Sequence, residues 1–201
     1  MYVLGITGGI GCGKSSVCKY IEETYDAKLV MADDVGKEVC EPGKPALEKL
    51  RNLFDAEFFL EDGSMNRKKI ASIVFADPEM LRKMNEIIHP EVKDEILRRI
   101  ENAKMNGCRL FVIEAALFIE AGYASICDEF WYIYVDRETR IKRLGESRGM
   151  TPEQVENVMK RQLSEKIFRD ECDKVIDNSG DFELTKRQIS EALAKVLGEN
   201  K

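Results

Sequence analysis

Apolar residues along this chain gather in five short runs separated by stretches of helical spacing. The runs are Tyr2-Val3-Leu4-Gly5-Ile6, Leu29-Val30-Met31-Ala32, Leu110-Phe111-Val112-Ile113, Phe130-Trp131-Tyr132-Ile133-Tyr134-Val135 and Val175-Ile176. Short runs without polar alternation suit strands covered on both faces. Val17, Tyr20 and Ile21 open an amphipathic helix after the first run. Thr151-Pro152-Glu153-Gln154 starts another with a capping box and proline at the first helical position, and Val155, Val158, Met159 and Leu163 line its apolar face. A last helix, capped near Asp181, turns Leu184, Ile189, Leu193, Val196 and Leu197 inward.

Residues 41–108 read as a mostly helical insertion. Pro42-Gly43 and Pro45 break the chain, Glu61-Asp62-Gly63 makes a polar turn, and Asp77-Pro78 starts a helix. Met80, Met84, Ile87 and Ile88 share one face, expected to be core. His89-Pro90 is expected to end that helix, because the residue before proline is pushed out of the α region. Val92, Ile96, Leu97, Ile100 and Ala103 then form the next amphipathic face.

The chain has 201 residues, enough for one α/β domain with an inserted subdomain. A net charge of −6 argues against broad attraction to nucleic acid, so an anionic ligand needs a local cluster of cations. Six cysteines without a C-x-x-C pair, beside a single histidine, make a zinc site unexpected. With no leader-like or membrane-length apolar stretch, the expectation is a cytoplasmic protein with reduced thiols, no membrane partner, and a monomer or weak homo-oligomer.

Candidate chemistry sharpens this picture. Gly8-Gly9-Ile10-Gly11-Cys12-Gly13-Lys14-Ser15 fits G-x-x-x-x-G-K-S and lies between a strand and a helix, as a P-loop must. In such a loop backbone N–H groups cradle phosphates, the lysine reaches the β/γ-phosphates and the serine hydroxyl faces Mg²⁺. The bland alternative is a chance glycine turn, which the flanking elements disfavour. Gly9, Ile10, Gly11, Cys12, Gly13, Lys14, Ser15 and Ser16 are thus the expected ATP-binding residues. The sequence leaves the redox sensitivity of Cys12 open: a thiol at a helix N-terminus near Lys14 could have a lowered pKa, and its oxidation would then block the phosphate site.

Acids at strand ends come next. Asp33 follows the second run, either as general base for an attacking hydroxyl or as a helix N-cap, a role Asp34 would fill equally well. Glu114 ends the third run in the Walker B position, where it would reach a metal through water. Asp33-Asp34-Val35-Gly36 also spells D-x-x-G, but no N-K-x-D follows, so that match is accidental. Arg137, Arg140, Lys142, Arg143 and Arg148, on helices joined at Gly149, look like a lid over a nucleotide; a solvated charged face is the alternative. Arg67-Lys68-Lys69 is ordinarily a solvated face, though it could meet phosphates.

Taken in order, these residues resemble the dephospho-CoA kinases. The resemblance lies in Gly5 through Ser15, Ala32-Asp33, Glu41-Pro42-Gly43, His89-Pro90, Leu117-Phe118-Ile119-Glu120 and Val175-Ile176-Asp177-Asn178-Ser179-Gly180. It implies a five-stranded parallel sheet flanked by helices, with ATP and Mg²⁺ used to phosphorylate the ribose 3′-hydroxyl of dephospho-CoA. The nucleotide-binding core would be 1–40, 109–136 and 165–201, with 41–108 the acceptor domain and 137–164 the lid. Lys14, Asp33, Arg140 and Arg143 would be catalytic, Arg143 and Asn178 would touch ATP, and Thr7, Asp33, Arg67, His89 and Leu117 would meet the acceptor. Ser15 and Glu114 (through water) would serve the metal. Met31 and Glu114 stand where the family usually has aspartates, Ala116 where it has proline, and Cys12 where it has serine. Rival readings are another small-molecule P-loop kinase and a non-catalytic nucleotide switch; the arginine-bearing lid and the absent N-K-x-D count against the switch.

Overall fold

The computed structural model describes residues 1–198. Its elements run β1 (Tyr2–Thr7), α1 (Lys14–Tyr25), β2 (Lys28–Met31), α2 (Ala32–Glu38), α3 (Pro45–Arg51), α4 (Arg67–Val74) and α5 (Pro78–Met105). They continue with β3 (Leu110–Glu114), β4 (Glu129–Tyr134), α6 (Arg137–Arg148), α7 (Pro152–Met159), α8 (Glu165–Glu171), β5 (Lys174–Asp177) and α9 (Phe182–Leu197). The chain divides into two compact units, one formed by Met1–Val30 with Asn102–Lys201 and the other by Met31–Glu101.

All five apolar runs are strands. They form one parallel sheet in the order β2-β3-β1-β4-β5. Strand β1 is central, with β3 on one side and β4 on the other, so the order reverses there, and in open parallel sheets ligands sit at the C-terminal ends of strands at such a switch point. The register sets Ile6 beside Glu114, which places that acid one strand away from the start of the glycine loop. β3 is buried along its whole length, as its unbroken apolar run requires. A core of Leu4, Ile6, Val17, Ile21, Val112, Trp131, Ile133, Ile189 and Leu193 joins α1 and α9 to the sheet.

The second unit departs from expectation at its longest helix. α5 passes through His89-Pro90 without a break. Proline removes one backbone donor and leaves the carbonyl four residues earlier unpaired, a cost water can offset where the helix is open. Pro90 is exposed, so that condition holds here. Met80, Met84, Ile87 and Ile88 are only half-buried and are not core, while Val92, Ile96 and Ile100 are buried as the spacing required. Leu97 keeps 39% exposure. The N-termini follow the cap logic: Asp77 Oδ1 accepts from the backbone N–H of Glu79 and Met80, Thr151 and Gln154 complete the capping box, and Asp181 caps α9. α7 ends at Met159, so Leu163 lies beyond it on the following turn.

Candidate active site

The loop from Gly8 to Gly13 links β1 to α1 and keeps the shape its glycines permit. At Gly8 a Cβ would stand 2.6 Å from the Ile133 carbonyl oxygen, and at Gly13, with φ of 80°, it would stand 2.5 Å from Asn178 Nδ2. Both contacts are shorter than real Cβ atoms tolerate, so only glycine fits. Gly13 precedes the first residue of α1, which puts the open N–H groups of that helix at the mouth of the loop.

Lys14 bends back over this loop. Its Nζ donates to the Gly8 carbonyl at 2.7 Å and lies 3.6 Å from Glu114 Oε1. Glu114 is buried at the end of β3, so the pair brings a cation and an anion together at the rim where β1 and β3 finish. Ser15 and Ser16 follow on the first turn of α1 with exposed side chains. Thr7 is fully buried, and its hydroxyl donates to the Ala115 carbonyl at 2.9 Å, tying β1 to the stretch after β3. On that stretch Leu117 is 50% exposed, whereas Phe118 is buried and stacked on Phe130.

Burial answers the question left open for Cys12. It is buried among the core residues, and burial pushes its thiol pKa up, with Lys14 and Arg140 opposing too weakly to reverse the shift. A thiol held neutral this way is a poor nucleophile and a poor target for oxidants. Helix position alone suggested activation; desolvation outweighs it.

The cationic segment sorts itself by burial. Arg140 is buried, donates from Nη2 to the Val135 carbonyl at 3.0 Å, and has no partner at Nε among the described residues. A Cβ on Gly9 would meet its Nη1 at 2.8 Å, so this guanidinium lies directly against the glycine loop. Leu144, one helical turn on, packs against Gly11. That i, i+4 spacing was the available signal that Arg140 faces inward. Arg143 Nη1 comes within 4.0 Å of the Cβ position of Gly13, and Arg137 pairs with Glu156 to tie α6 to α7.

Two further contacts reach the loop from afar. Gln162 Oε1 accepts from the Ile10 backbone N–H at 3.0 Å, and Asn178 Nδ2 donates to the Cys12 carbonyl at 2.9 Å. Nothing in the local sequence pointed to Gln162, because its partner is 152 positions away.

Asp33, Arg67 and His89 belong to the second unit. α2 begins at Ala32 with Met31 at its N-cap, so neither Asp33 nor Asp34 caps it. Asp34 pairs with Lys37 at 2.6 Å, while the Asp33 side chain is exposed in the first turn. Arg67 is exposed at the start of α4 and donates to the Lys37 carbonyl at 3.1 Å. His89 sits within α5, and partial burial lowers its pKa.

Among the described residues no cluster of three or more metal-ligating side chains occurs, and no helix is long and apolar enough to cross a membrane. The chain has clear relatives. The family model described as dephospho-CoA kinase matches residues 2–183. A dephospho-CoA kinase of Shouchella clausii is 33% identical over 196 residues, spanning 98% of this chain and 99% of that one. A solved structure from Thermus thermophilus is 26% identical with a TM-score of 0.79, covering 96% of this chain and 97% of that chain. A dephospho-CoA kinase from Campylobacter jejuni shares the fold with a TM-score of 0.71 at 21% identity, covering 99% and 98% of the two chains.

Proposed function

This chain belongs to the dephospho-CoA kinase family, and from that premise we propose that it transfers the γ-phosphoryl group of ATP to the ribose 3′-hydroxyl of dephospho-CoA, giving coenzyme A. The observation that carries the reading is Lys14, held over the glycine loop by the Gly8 carbonyl and within 3.6 Å of Glu114. Phosphoryl transfer asks little covalent chemistry of a protein and depends on placement and charge neutralisation.

In this reading the amides of Gly11, Gly13 and Lys14 and the Lys14 ammonium hold the β- and γ-phosphates, the Ile10 amide being taken by Gln162. Arg143 lies close enough to Gly13 to add charge, and buried Arg140 supplies a fixed positive field beneath the loop. Asp33, exposed at the end of β2, accepts a hydrogen bond from the acceptor hydroxyl and turns its oxygen toward the γ-phosphorus. The oxygen–phosphorus bond forms as the bond to ADP breaks, and the proton passes through Asp33 to solvent. Arg67, His89 and Leu117, with the helices of 41–108, are assigned to the acceptor, and 137–164 to closure over the nucleotide; Thr7, wholly buried with its hydroxyl on the Ala115 carbonyl, is a structural tie and not an acceptor contact.

An exposed serine hydroxyl and a buried carboxylate form an all-oxygen set that suits Mg²⁺. When bound on Ser15, with Glu114 behind a water, Mg²⁺ would neutralise charge on the phosphate oxygens. The reaction is assigned to the cytoplasm.

The deciding experiment incubates the protein with ATP, Mg²⁺ and dephospho-CoA, adenosine or AMP, and resolves products by mass. Coenzyme A formed only from dephospho-CoA is the expected result. Transfer to another acceptor alone would overturn the assignment.

A further inference from the structure

The Cys12 carbonyl lies inside the phosphate loop yet points to a side chain from the far end of the chain. Asn178 Nδ2 donates to it at 2.9 Å, and Asn178 Oδ1 accepts from Thr185 Oγ1, also at 2.9 Å. Asn178 is buried and Thr185, on α9, is wholly so. The near-contact of Asn178 Nδ2 with the Cβ position of Gly13 shows how closely this amide is seated against the loop.

The direction of these bonds is forced. A carbonyl oxygen can only accept, so Asn178 must turn its NH₂ toward Cys12. That leaves its oxygen facing Thr185, whose hydroxyl donates to it at 2.9 Å, with the Asp177 carbonyl a second, longer acceptor at 3.2 Å. In a trans peptide the C=O and the following N–H point to opposite sides. Holding the Cys12 carbonyl toward Asn178 therefore holds the Gly13 N–H on the other side, where amides serve an anion. A reversed peptide would present a carbonyl oxygen to the phosphate.

We propose that Thr185, acting through Asn178, is a positioning residue that sets the orientation of the Cys12–Gly13 peptide and thereby the affinity for ATP. Thr185 is assigned no contact with ATP, Asn178 is given this positioning role in addition to the ATP contact that the resemblance implied, and the inference rests on the reading that this loop holds ATP's phosphates.

Thr185→Val keeps the shape and removes the donor. The expected result is a roughly tenfold rise in both the ADP dissociation constant and KM for ATP, since one buried acceptor loses its partner. KM for dephospho-CoA should not change, and Thr185→Ser should restore ATP affinity. Asn178→Asp, which sets an acceptor against the Cys12 carbonyl, should weaken ADP further. If Thr185→Val does not fold, Thr185→Ala reads the same comparison. The proposal falls if Thr185→Val binds ADP as tightly as the unaltered protein. It falls equally if both KM values rise together and serine restores neither. An unaltered protein that binds no ADP would instead overturn the loop reading itself, before any variant is compared.

Discussion

Polar groups around the glycine loop of the first unit are largely buried and committed to partners far along the chain, whereas the ion pairs of α2 and α5 in the second unit include several made along a single helix. Lys14 with Glu114, Asn178 with Cys12 and Gln162 with Ile10 all span more than a hundred positions or join separate elements. Asp34 with Lys37 and Glu79 with Arg82 lie three residues apart on open helix surface, and half-buried Glu95 pairs at the same spacing with exposed Arg98. Apolar residues differ by position and not by unit: Ile133 of the first and Leu47, Leu50 and Ile96 of the second are wholly buried, while Met84 on α5 is half-exposed and Phe75 is 82% exposed. A loop that must hold charge in one geometry needs groups that cannot relax. A unit assigned to a long, flexible acceptor keeps adaptable side chains at its surface.

The sharpest way to break this comparison is Lys14→Ala. It should cost more than any other single change, at least ~10³-fold in kcat/KM, because it removes charge from phosphates in ground and transition states alike. Turnover of ATP at an unaltered rate would refute the loop assignment. Asp33→Asn comes next, with ~10²–10⁴-fold lost from kcat. Thermal unfolding and KM for ATP should stay unchanged, since Asp33 is exposed and caps nothing. Equal activity in this variant would remove Asp33 from the chemistry.

The packing contrast is read by denaturant unfolding. Ile133→Ala should cost about 3 kcal/mol and Met84→Ala less than about 1 kcal/mol. Similar losses at the two positions would erase the distinction. The smallest effect concerns acid. Hydrogen bonding from Arg98 lowers the Glu95 pKa from 4.5 to about 2. The folded state therefore holds the proton less readily than the unfolded one. The resulting stability is fully present above the unfolded value and is lost as pH falls through the folded value. Glu95→Gln should flatten the melting profile between those limits by no more than about 2 °C, as exposed ion pairs contribute little. A larger shift would mean that the pair acts as a buried one.

How much of this was legible depends on how far each signal travels. The five strands, the P-loop and the caps at Asp77, Thr151 and Asp181 were readable because each is written in a few adjacent residues. α5 was misread because Pro90 was judged by its local rule alone, and its exposure, which makes the lost bond tolerable, is a tertiary fact. The burial of Arg140 was half-legible through its spacing to Leu144. Gln162 and Thr185 were not legible, since a hydrogen bond across the fold leaves no local trace. Cys12 was left open for a related reason: proximity to Lys14 is visible in sequence, but the apolar wall around the sulfur is not.

That wall has a consequence for how the protein breathes. Cys12 belongs at once to the loop that grips phosphate and to the packed interior shared by the central strands and two helices. In hydrogen-exchange terms the Cys12 end of the loop is expected to open with the core and not as a surface appendage. Distance from the ligand is then a poor guide to which substitutions a lineage can accept. A methyl group lost deep beneath the sheet can reach the nucleotide through one sulfur atom.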